Sequence, residues 1–532
     1  MNGGNFVGLR TPGGPLGGSS YALPLRITSC ASVLVLTWLT ACGGGGGGAP
    51  PPPPNTDLLA LTYFDDGGFD RVLVADVGGS GIDDVSAAVR SGGATAEDLA
   101  WSSDHRFLAW IGARDGSADG ELFVFDVDLG IVRSVSEDFP GSGEVNRFAW
   151  AAGTNRIAFV TAAGLFADHA EGGDPVELST ALPGASQGFV RFALSPDGTR
   201  IAVATDGLTV GVRELFVLPL VGGPAVRVSN ALEPGAAVQP VNPVWSPTGL
   251  RLAFTVVSPL PGTVEVWSGL ANGTKSVRMH PAFPAGRIAS SPAWSADGAH
   301  LAYIADQLTD DVAEAFVVDE DGTNNKRVSI PLVAGGEVSR IVWAPVGSLL
   351  AHVADAFQQD ELRLFVVRGD SGAEHADLSG PMNPGGAVRA SSVIWRPDGA
   401  RIAYVADQAE DGAFELYVAR PDIAESAFRA SQSTQMPCET VNVAWSPDGT
   451  HVIYRGDHTD GIRRPFAVQP GLPPVPLTPT VSDELVGFTP DGLGAVSVVD
   501  NGGHLAVCPL DGSASTDVVD LVGGTVGEVV LR

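Results

Sequence analysis

One pattern recurs along nearly the whole chain and limits what it can fold into. Its clearest copy is VNVAWSPDGTHVIYRGD, at residues 441–457. Apolar and polar residues alternate on both sides of a central turn sequence, as in a β-hairpin. A single hairpin is marginally stable in water, so many copies indicate a repeat fold. The copies, aligned on one position and separated by 43 to 52 residues, centre on Trp101, Trp150, Leu194, Trp245, Trp294, Trp343, Trp395, Trp445 and Phe488.

The turn in each copy has a defined chemistry, seen best at 446–449. Pro447 fixes φ at about −65° for the first corner. Asp448 can accept hydrogen bonds from neighbouring backbone, and Gly449 accepts the positive φ that closes a tight turn. The sequence therefore predicts that the two flanking runs pair as adjacent antiparallel strands.

Two more apolar runs complete each repeat. A third follows about ten to fifteen residues after the second, for example at 315–318 and 416–419, and a shorter fourth follows at 226–229 and 326–329. Four short strands in each repeat are typical of one β-propeller blade. We predict an all-β fold, a β-propeller of about ten four-stranded antiparallel blades in one closed ring. An eight-bladed ring with extra strands and two tandem rings are the alternatives.

The two ends of the repeat region complement each other. Residues 58–77 supply the second and third runs of a repeat without a first run. Residues 524–531 supply a first run that aligns with 336–343. A ring of sheets must not leave an unpaired edge strand, because such edges promote aggregation. We therefore predict that the C-terminal run completes the N-terminal blade and places Val529 near Leu61.

The repeat resembles that of TolB-type propellers, which are related to WD-repeat proteins. The resemblance rests on W-S-P-D-G followed by I-A-Y/F and then L-Y/F-V, and it covers roughly residues 57–532. The S-P-D-G turn is intact at 195–198 and 446–449 and altered elsewhere. The resemblance implies a propeller, but this architecture supports many unrelated functions.

The N-terminal region predicts export and a lipid anchor. Residues 27–41 form an apolar run of the length found in secretion signals. The sequence Leu39-Thr40-Ala41-Cys42 resembles the bacterial lipobox, which implies lipidation of Cys42; an ordinary signal peptide with an incidental cysteine is the alternative. We predict a lipoprotein signal peptide at 1–41, a Gly/Pro-rich tether at 42–56 and the propeller at 57–532. Gly43 after the cysteine favours the outer membrane.

The net charge limits which partners the protein can bind, and the cysteines limit which disulfides it can form. A net charge of −30 argues against nucleic acid or an anionic membrane bound through a basic face. We therefore expect a monomer that meets the membrane only through lipidated Cys42. Cys438 and Cys508 lie in neighbouring repeats and could form a disulfide in an oxidising compartment, but sequence alone does not show whether their Cα atoms are close enough.

An aspartate follows the second run of most repeats. Closely spaced carboxylates could bind Ca²⁺, although their spacing matches no known calcium loop. Repetition favours a structural role, in which each carboxylate accepts backbone hydrogen bonds at the turn before the third strand. We therefore predict no metal and no cofactor. The series comprises Asp65, Asp115, Asp306, Asp355, Asp407 and Asp457.

Three other sequence features resemble functional sites, but a structural role explains each of them better. Residues 369–372 spell GDSG, as around the serine of chymotrypsin-like proteases, but we predict a turn after a third strand because no partner residues can be assigned. His105, His300 and His451 recur at or near turns and show no zinc-binding spacing. The recurring tryptophans could form a carbohydrate platform, but their equivalent positions favour packing between blades.

These observations predict a binding or scaffold protein with no assigned catalytic residue. Its partner would be a protein or polymer of the bacterial cell envelope. The alternative is an envelope hydrolase or lyase that acts on a glycan or lactone in the propeller channel. Unmatched acids and histidines gathered at one place would favour the enzyme, whereas equivalent polar residues in every blade favour binding.

Overall fold

The computed structural model of the protein describes most of the repeat region. The described residues are 58–64, 70–77, 81–88, 96–113, 120–139, 141, 143–183, 191–209, 211–229, 232–431, 443–456, 463–478, 482–489, 491–499, 504–520 and 525–531. All of them belong to the unit Ala49–Arg532. The predicted signal peptide and tether, with Cys42, lie outside the described residues, as do Asp65, Asp115, Asp457 and Cys438.

The strands form ten antiparallel sheets, each of which is one blade. Blade 1 contains β1 (Leu58–Phe64), β2 (Asp70–Asp76) and β3 (Ile82–Asp84). Blade 2 contains β4 (Ala96–Trp101), β5 (Phe107–Ala113), β6 (Gly120–Asp126) and β7 (Ile131–Ser134). Blade 3 contains β8 (Val145–Ala151), β9 (Arg156–Thr161), β10 (Leu165–His169) and β11 (Val176–Glu177). Blade 4 contains β12 (Phe192–Leu194), β13 (Arg200–Thr209), β14 (Val212–Pro219) and β15 (Val226–Arg227).

Blade 5 departs from the pattern, because its first strand is broken into two pieces that both pair with the second strand. It contains β16 (Ala237–Val238), β17 (Val244–Trp245), β18 (Arg251–Val257), β19 (Val264–Leu270) and β20 (Ser276–Arg278). Blade 6 contains β21 (Ala289–Trp294), β22 (His300–Ala305), β23 (Glu314–Asp319) and β24 (Lys326–Arg327). Blade 7 contains β25 (Val338–Trp343), β26 (Leu349–Ala354), β27 (Arg363–Arg368) and β28 (Ala376–Asp377).

The last three blades repeat the regular order, and the final strand returns to blade 1. Blade 8 contains β29 (Ile394–Trp395), β30 (Ile402–Ala406), β31 (Glu415–Ala419) and β32 (Phe428–Arg429). Blade 9 contains β33 (Ala444–Trp445), β34 (Val452–Gly456), β35 (Arg464–Val468) and β36 (Val475–Pro476). Blade 10 contains β37 (Ser482–Phe488), β38 (Gly494–Val499), β39 (His504–Pro509) and β40 (Thr516–Asp520), and β41 (Thr525–Leu531) follows.

Helical structure in the described ranges is limited to short 3₁₀ turns at Val85–Ala88, Ser136–Asp138, Leu178–Ala181 and Ala390–Ser392. Among the described residues, no helix has the length and apolar composition needed to cross a membrane.

Strand β41 closes the ring by serving as the first strand of blade 1. It pairs antiparallel with β1, and Val529 lies directly opposite Leu61. Side chains of β41 pack against the cluster formed by blades 10 and 1, whose buried members include Leu59 and Val496. The predicted closure and the count of ten blades are therefore confirmed, and the eight-bladed and tandem-ring alternatives do not apply.

The core lies between blades rather than inside them. Among the described residues, the buried apolar side chains form ten clusters, each drawn from two neighbouring blades. Between blades 7 and 8, for example, Leu364 and Val366 pack with Ile402 and Tyr404. A blade is covered on both faces, which explains why its middle strands are apolar at successive positions rather than at alternate ones.

The recurring tryptophans pack each of their blades against the preceding one. Six of the seven indole N–H groups donate to a backbone carbonyl in the first strand of the preceding blade, as Trp343 does to Ala293 at 2.9 Å and Trp395 to Val342 at 3.1 Å. Trp101 makes the same bond across the closure, to Val530 at 3.4 Å. The indole N–H of Trp445 has no hydrogen-bond partner among the described residues. The prediction that these residues pack between blades is confirmed.

The turn between the first and second strands has the predicted chemistry. Ser446 Oγ donates to Asp448 at 2.6 Å, and the amide of Gly449 donates to the Ser446 carbonyl at 2.8 Å. The equivalent glycine of blade 4, Gly198, has φ +64°, and a Cβ there would lie 2.0 Å from the carbonyl oxygen of Ala152 in blade 3. Positive φ and interblade contact together explain why glycine recurs at this position.

The antiparallel order gives the ring two distinct faces. First strands of neighbouring blades contact one another, for example β21 and β25, so they line the inside of the ring. One face carries the turns from first to second strand and from third to fourth strand. The other face, called the loop face below, carries the loops from second to third strand and the lead-ins to the first strands.

Candidate functional site

The aspartates that follow the second strands fix the loop face. In blade 6, Asp306 accepts a hydrogen bond from the Ile288 amide at 2.7 Å. In blade 8, Asp407 accepts from the amides of Ala387 at 2.6 Å and Gly412 at 3.0 Å. Each carboxylate is buried and joins a loop to the lead-in of its own blade. Asp355 does the same in blade 7, with the amides of Glu337 and Asp360.

This geometry confirms the structural interpretation of the described aspartates and extends it, since their bonds reach the lead-in as well as the turn. Asp65, Asp115 and Asp457 lie outside the described residues. Among the residues that the structure describes, no group of three or more His, Cys, Asp or Glu side chains is placed to hold a metal ion.

Replacing Asp407 with alanine should lower the free energy of unfolding by about 2 kcal/mol, because two backbone amides lose their acceptor. The control is Asp411→Ala, which removes an exposed carboxylate from the same loop and should change stability by less than about 0.5 kcal/mol. Urea unfolding of the two variants measures the difference. Equal losses would contradict the role of Asp407, and a melting temperature that falls on addition of EDTA would instead indicate bound Ca²⁺.

Backbone hydrogen bonds also join each loop to the following blade. The Val264 amide donates to the Arg287 carbonyl at 3.0 Å between blades 5 and 6. The Val338 amide donates to Ala313 at 2.7 Å between blades 6 and 7, and a Val388 to Leu362 bond of 2.8 Å follows between blades 7 and 8. With the aspartates, these bonds make a continuous surface. We call it the loop belt: residues 258–263, 306–313, 355–362 and 407–414 with lead-ins 281–288, 331–337 and 380–389.

The loop belt exposes large apolar side chains. Such residues are common singly on protein surfaces, but several on one fixed surface indicate contact with another molecule. Here they come from blades 5, 6 and 7, which are consecutive in the ring. Their exposed fractions are 43% for Leu260, 50% for Ile288, 58% for Leu308 and 57% for Phe357.

The loop belt is also acidic. The two arginines of the belt are Arg287, which donates to the Asp306 carbonyl at 2.7 Å and lies 3.4 Å from the Asp310 carboxylate, and Arg389, which stacks over the Phe414 ring at 3.7 Å. Arg363, next to the belt, stacks over the Phe357 ring at 4.7 Å. These three side chains are only partly exposed. The exposed carboxylates of the loop belt are those of Asp310, Asp311, Glu337, Asp360, Glu410 and Asp411.

An ion pair between the third and fourth strands recurs in several blades, and sequence analysis missed it. Glu314 pairs with Arg327 at 2.8 Å in blade 6, and Glu415 with Arg429 at 3.2 Å in blade 8. In blade 7 the charges are exchanged, so that Arg363 takes the glutamate position and pairs with Asp377 at 3.1 Å. Exchange of both charges at equivalent repeat positions was the sequence signal that could have revealed this contact.

A small polar pocket of about 470 Å³ lies on the other face, between blades 6 and 7. Most of the polar side chains that line it bond to other lining residues. His300 Nδ1 lies 3.1 Å from the Asp319 carboxylate, Asn324 donates a hydrogen bond to Asp319 at 2.6 Å, and Lys326 donates one to the Asp370 carbonyl. The Arg368 guanidinium beside Asp370 lowers the pKa of that carboxyl to about 2.

The GDSG sequence is a turn in this pocket wall, as predicted. The amide of Gly372 donates to the Arg368 carbonyl at 2.7 Å, which closes the connection between β27 and β28. The histidines that recur near turns also have local partners: the amide of His105 donates to Ser102 at 2.9 Å, and Thr450 contacts the His451 ring at 2.8 Å.

Two other histidines are buried, His280 just after β20 and His352 in β26. Burial lowers the pKa of His280 to about 4 and that of His352 to about 3. The His280 ring accepts the Val266 amide at 3.3 Å, whereas neither ring nitrogen of His352 has a hydrogen-bond partner among the described residues. His352 stacks on Phe365, with ring centroids 5.3 Å apart, where blade 6 has Tyr303 on Phe316. Both are structural positions that sequence analysis did not identify.

Cys508 is buried in β39, and burial raises the pKa of its thiol to about 12. A thiol with so high a pKa is a poor nucleophile at neutral pH. Its suggested partner, Cys438, lies outside the described residues, so the disulfide stays an open alternative.

Comparisons with known proteins find similarity among solved structures only, at low sequence identity. No protein-family model matches the sequence, and no curated protein matches it. Dipeptidyl peptidase 4 of Porphyromonas gingivalis is 14% identical with a TM-score of 0.47, covering 69% of this chain and 58% of that one. An oligogalacturonate lyase in complex with manganese is 15% identical with a TM-score of 0.35, covering 68% and 96%. TolB of Acinetobacter baumannii is 15% identical with a TM-score of 0.26, covering 53% and 66%.

The likeness to TolB-type propellers is confirmed as a likeness of fold, since the four-stranded antiparallel repeat recurs around the ring. Identities this low concern the fold alone. The chain spans little more than half the length of the peptidase, and the activities that the names of the peptidase and the lyase describe are those of these two proteins.

Proposed function

We propose that the protein is a binding protein of the bacterial cell envelope, held by a lipid on Cys42 and docking its partner on the loop belt. The lipid anchor rests on the lipobox resemblance of residues 39–42. The observation that carries the docking surface is the exposure of Leu260, Ile288, Leu308 and Phe357 on loops that are fixed by buried aspartates and interblade hydrogen bonds.

Rigidity supports this proposal on energetic grounds. A flexible loop loses conformational entropy when it binds, whereas the loop belt is already ordered by contacts inside the ring. Apolar anchors surrounded by a polar rim are typical of protein interfaces. In the competing proposal, a hydrolase or lyase, acids would act on substrate in the channel. Asp306, Asp355 and Asp407 are instead engaged with backbone amides.

The test compares the wild type with three variants of the full-length protein by pull-down from envelope extracts and by membrane fractionation. The double variant Leu308→Asp/Phe357→Asp should lose a partner that the wild type retains. The control Leu493→Asp, at a residue 73% exposed on the other face, should keep it. Cys42→Ala should leave the membrane fraction or accumulate as precursor. Retention of every partner by the double variant, or hydrolysis of an envelope glycan by the wild type and all three variants, would contradict the proposal.

A further inference from the structure

The loop belt is divided into an apolar part and an acidic part. At the junction of blades 5 and 6, residues 258–263 read SPLPGT and contain no charge. They lie against 284–288 through the Gly286 to Pro261 hydrogen bond of 3.0 Å and the Val264–Ile288 bridge. Exposed Leu260 and Ile288 therefore belong to one apolar area with exposed prolines around them.

The adjoining loops of blades 6 to 8 carry the carboxylates. Asp310 and Asp311 follow the exposed Leu308, and Asp360 follows the exposed Phe357. Within residues 232–431, which the structure describes without a gap, Arg287 is the one cation paired with any of the six exposed carboxylates of the belt. Like charges held on neighbouring loops repel one another, and an arriving cation relieves that repulsion.

We infer that the partner segment docked by the loop belt is a cationic polypeptide stretch in which apolar residues alternate with lysine or arginine. This inference rests on the proposed function and specifies its partner. The apolar side chains of the segment would cover Leu260, Ile288, Leu308 and Phe357, and its cations would face Asp311, Asp360 and Asp411. A polyanion would meet the same carboxylates with unfavourable charge, and the net charge of −30 acts in the same direction.

The interaction should depend on ionic strength. Each exposed charge pair contributes little by itself and is screened by salt, while apolar contact is not. Binding should therefore weaken with added salt without vanishing. Removing three carboxylates should weaken it about tenfold, which corresponds to about 1.4 kcal/mol.

The experiment measures binding of two synthetic peptides to the full-length protein by fluorescence anisotropy. One peptide alternates leucine with lysine, and the other alternates leucine with glutamate. The test variant is Asp311→Asn/Asp360→Asn/Asp411→Asn. The control is Asp321→Asn/Asp398→Asn/Asp511→Asn, which removes three exposed carboxylates from turns of the other face. Unchanged melting temperatures show that both variants fold.

The expected result is binding of the lysine peptide alone, weakened about tenfold by the test variant and little by the control. Equal binding of the glutamate peptide, or equal binding by the two variants, would overturn the inference. So would a polylysine that binds as tightly as the leucine–lysine peptide. These failures would leave the proposed function intact if Leu308→Asp/Phe357→Asp still loses its envelope partner. A double variant that keeps the partner would instead refute the proposed function.

Discussion

Deletion of residues 525–531 should abolish cooperative unfolding of the whole propeller and promote aggregation. The deletion leaves β1 as an unpaired edge and uncovers apolar side chains of blades 10 and 1. It also removes the carbonyl of Val530, which accepts the Trp101 indole N–H at 3.4 Å. We expect a loss on the order of 5 kcal/mol or more, far above the effect of a frayed terminus. Calorimetry and light scattering measure both outcomes.

A point substitution separates closure from simple shortening of the chain. Val529→Asp places a carboxylate opposite Leu61, against apolar neighbours, and should cost about 3 kcal/mol. Leu493→Asp makes the same kind of change at a residue 73% exposed and should cost less than about 0.5 kcal/mol. Equal stability of the two variants, or a deletion variant that melts like the wild type, would contradict the closure.

Replacing His352 with phenylalanine should stabilise the protein, and the gain should grow as the pH falls. The folded-state pKa of His352 is about 3, because the ring is buried, whereas the pKa of an unfolded histidine lies near the ordinary value of 6.5. Below that value the unfolded state takes up a proton that the folded state excludes. The contribution of neutral His352 to the free energy of unfolding is therefore fully present above the pKa of the unfolded state. Below that pKa the free energy of unfolding falls by about 1.4 kcal/mol for each pH unit.

At pH 5 the phenylalanine variant should therefore gain about 2 kcal/mol more over the wild type than it gains at pH 7. The new ring can keep the stacking on Phe365, and it removes two nitrogens that lack partners. Urea unfolding at the two pH values gives both differences. The control is His451→Phe, at a partly exposed turn residue. A gain that does not depend on pH would contradict the burial of a neutral imidazole at position 352.

Sequence alone predicted the features that repetition encodes. Trp343, Trp395 and Trp445 mark first strands because the indole at this position packs between its own blade and the preceding one. The similarity of 524–531 to 336–343 predicted the closing strand and its pairing with Leu61. These inferences succeed because a ring imposes one environment on ten similar segments, so that local pattern and global fold agree.

The candidate site was not predictable in the same way, because it depends on where blades differ. The structure shows that Leu308 and Phe357 project from loops of neighbouring blades, which lie 49 residues apart in sequence. The broken first strand of blade 5, with Ala237–Val238 separate from Val244–Trp245, also departs from the repeat. His352 is another departure, since it takes the place of a tyrosine and only tertiary contacts show its burial.

The most direct test of the proposed docking surface is photo-crosslinking in intact cells. A photoreactive amino acid is placed at Leu308 in the loop belt or at Leu493 on the other face of the ring, in otherwise unchanged full-length protein. We expect a discrete crosslinked adduct from position 308 that is lost when Asp311, Asp360 and Asp411 are changed to asparagine, and none from position 493. An adduct from position 493 alone, or the same adduct from both positions, would contradict docking on the loop belt.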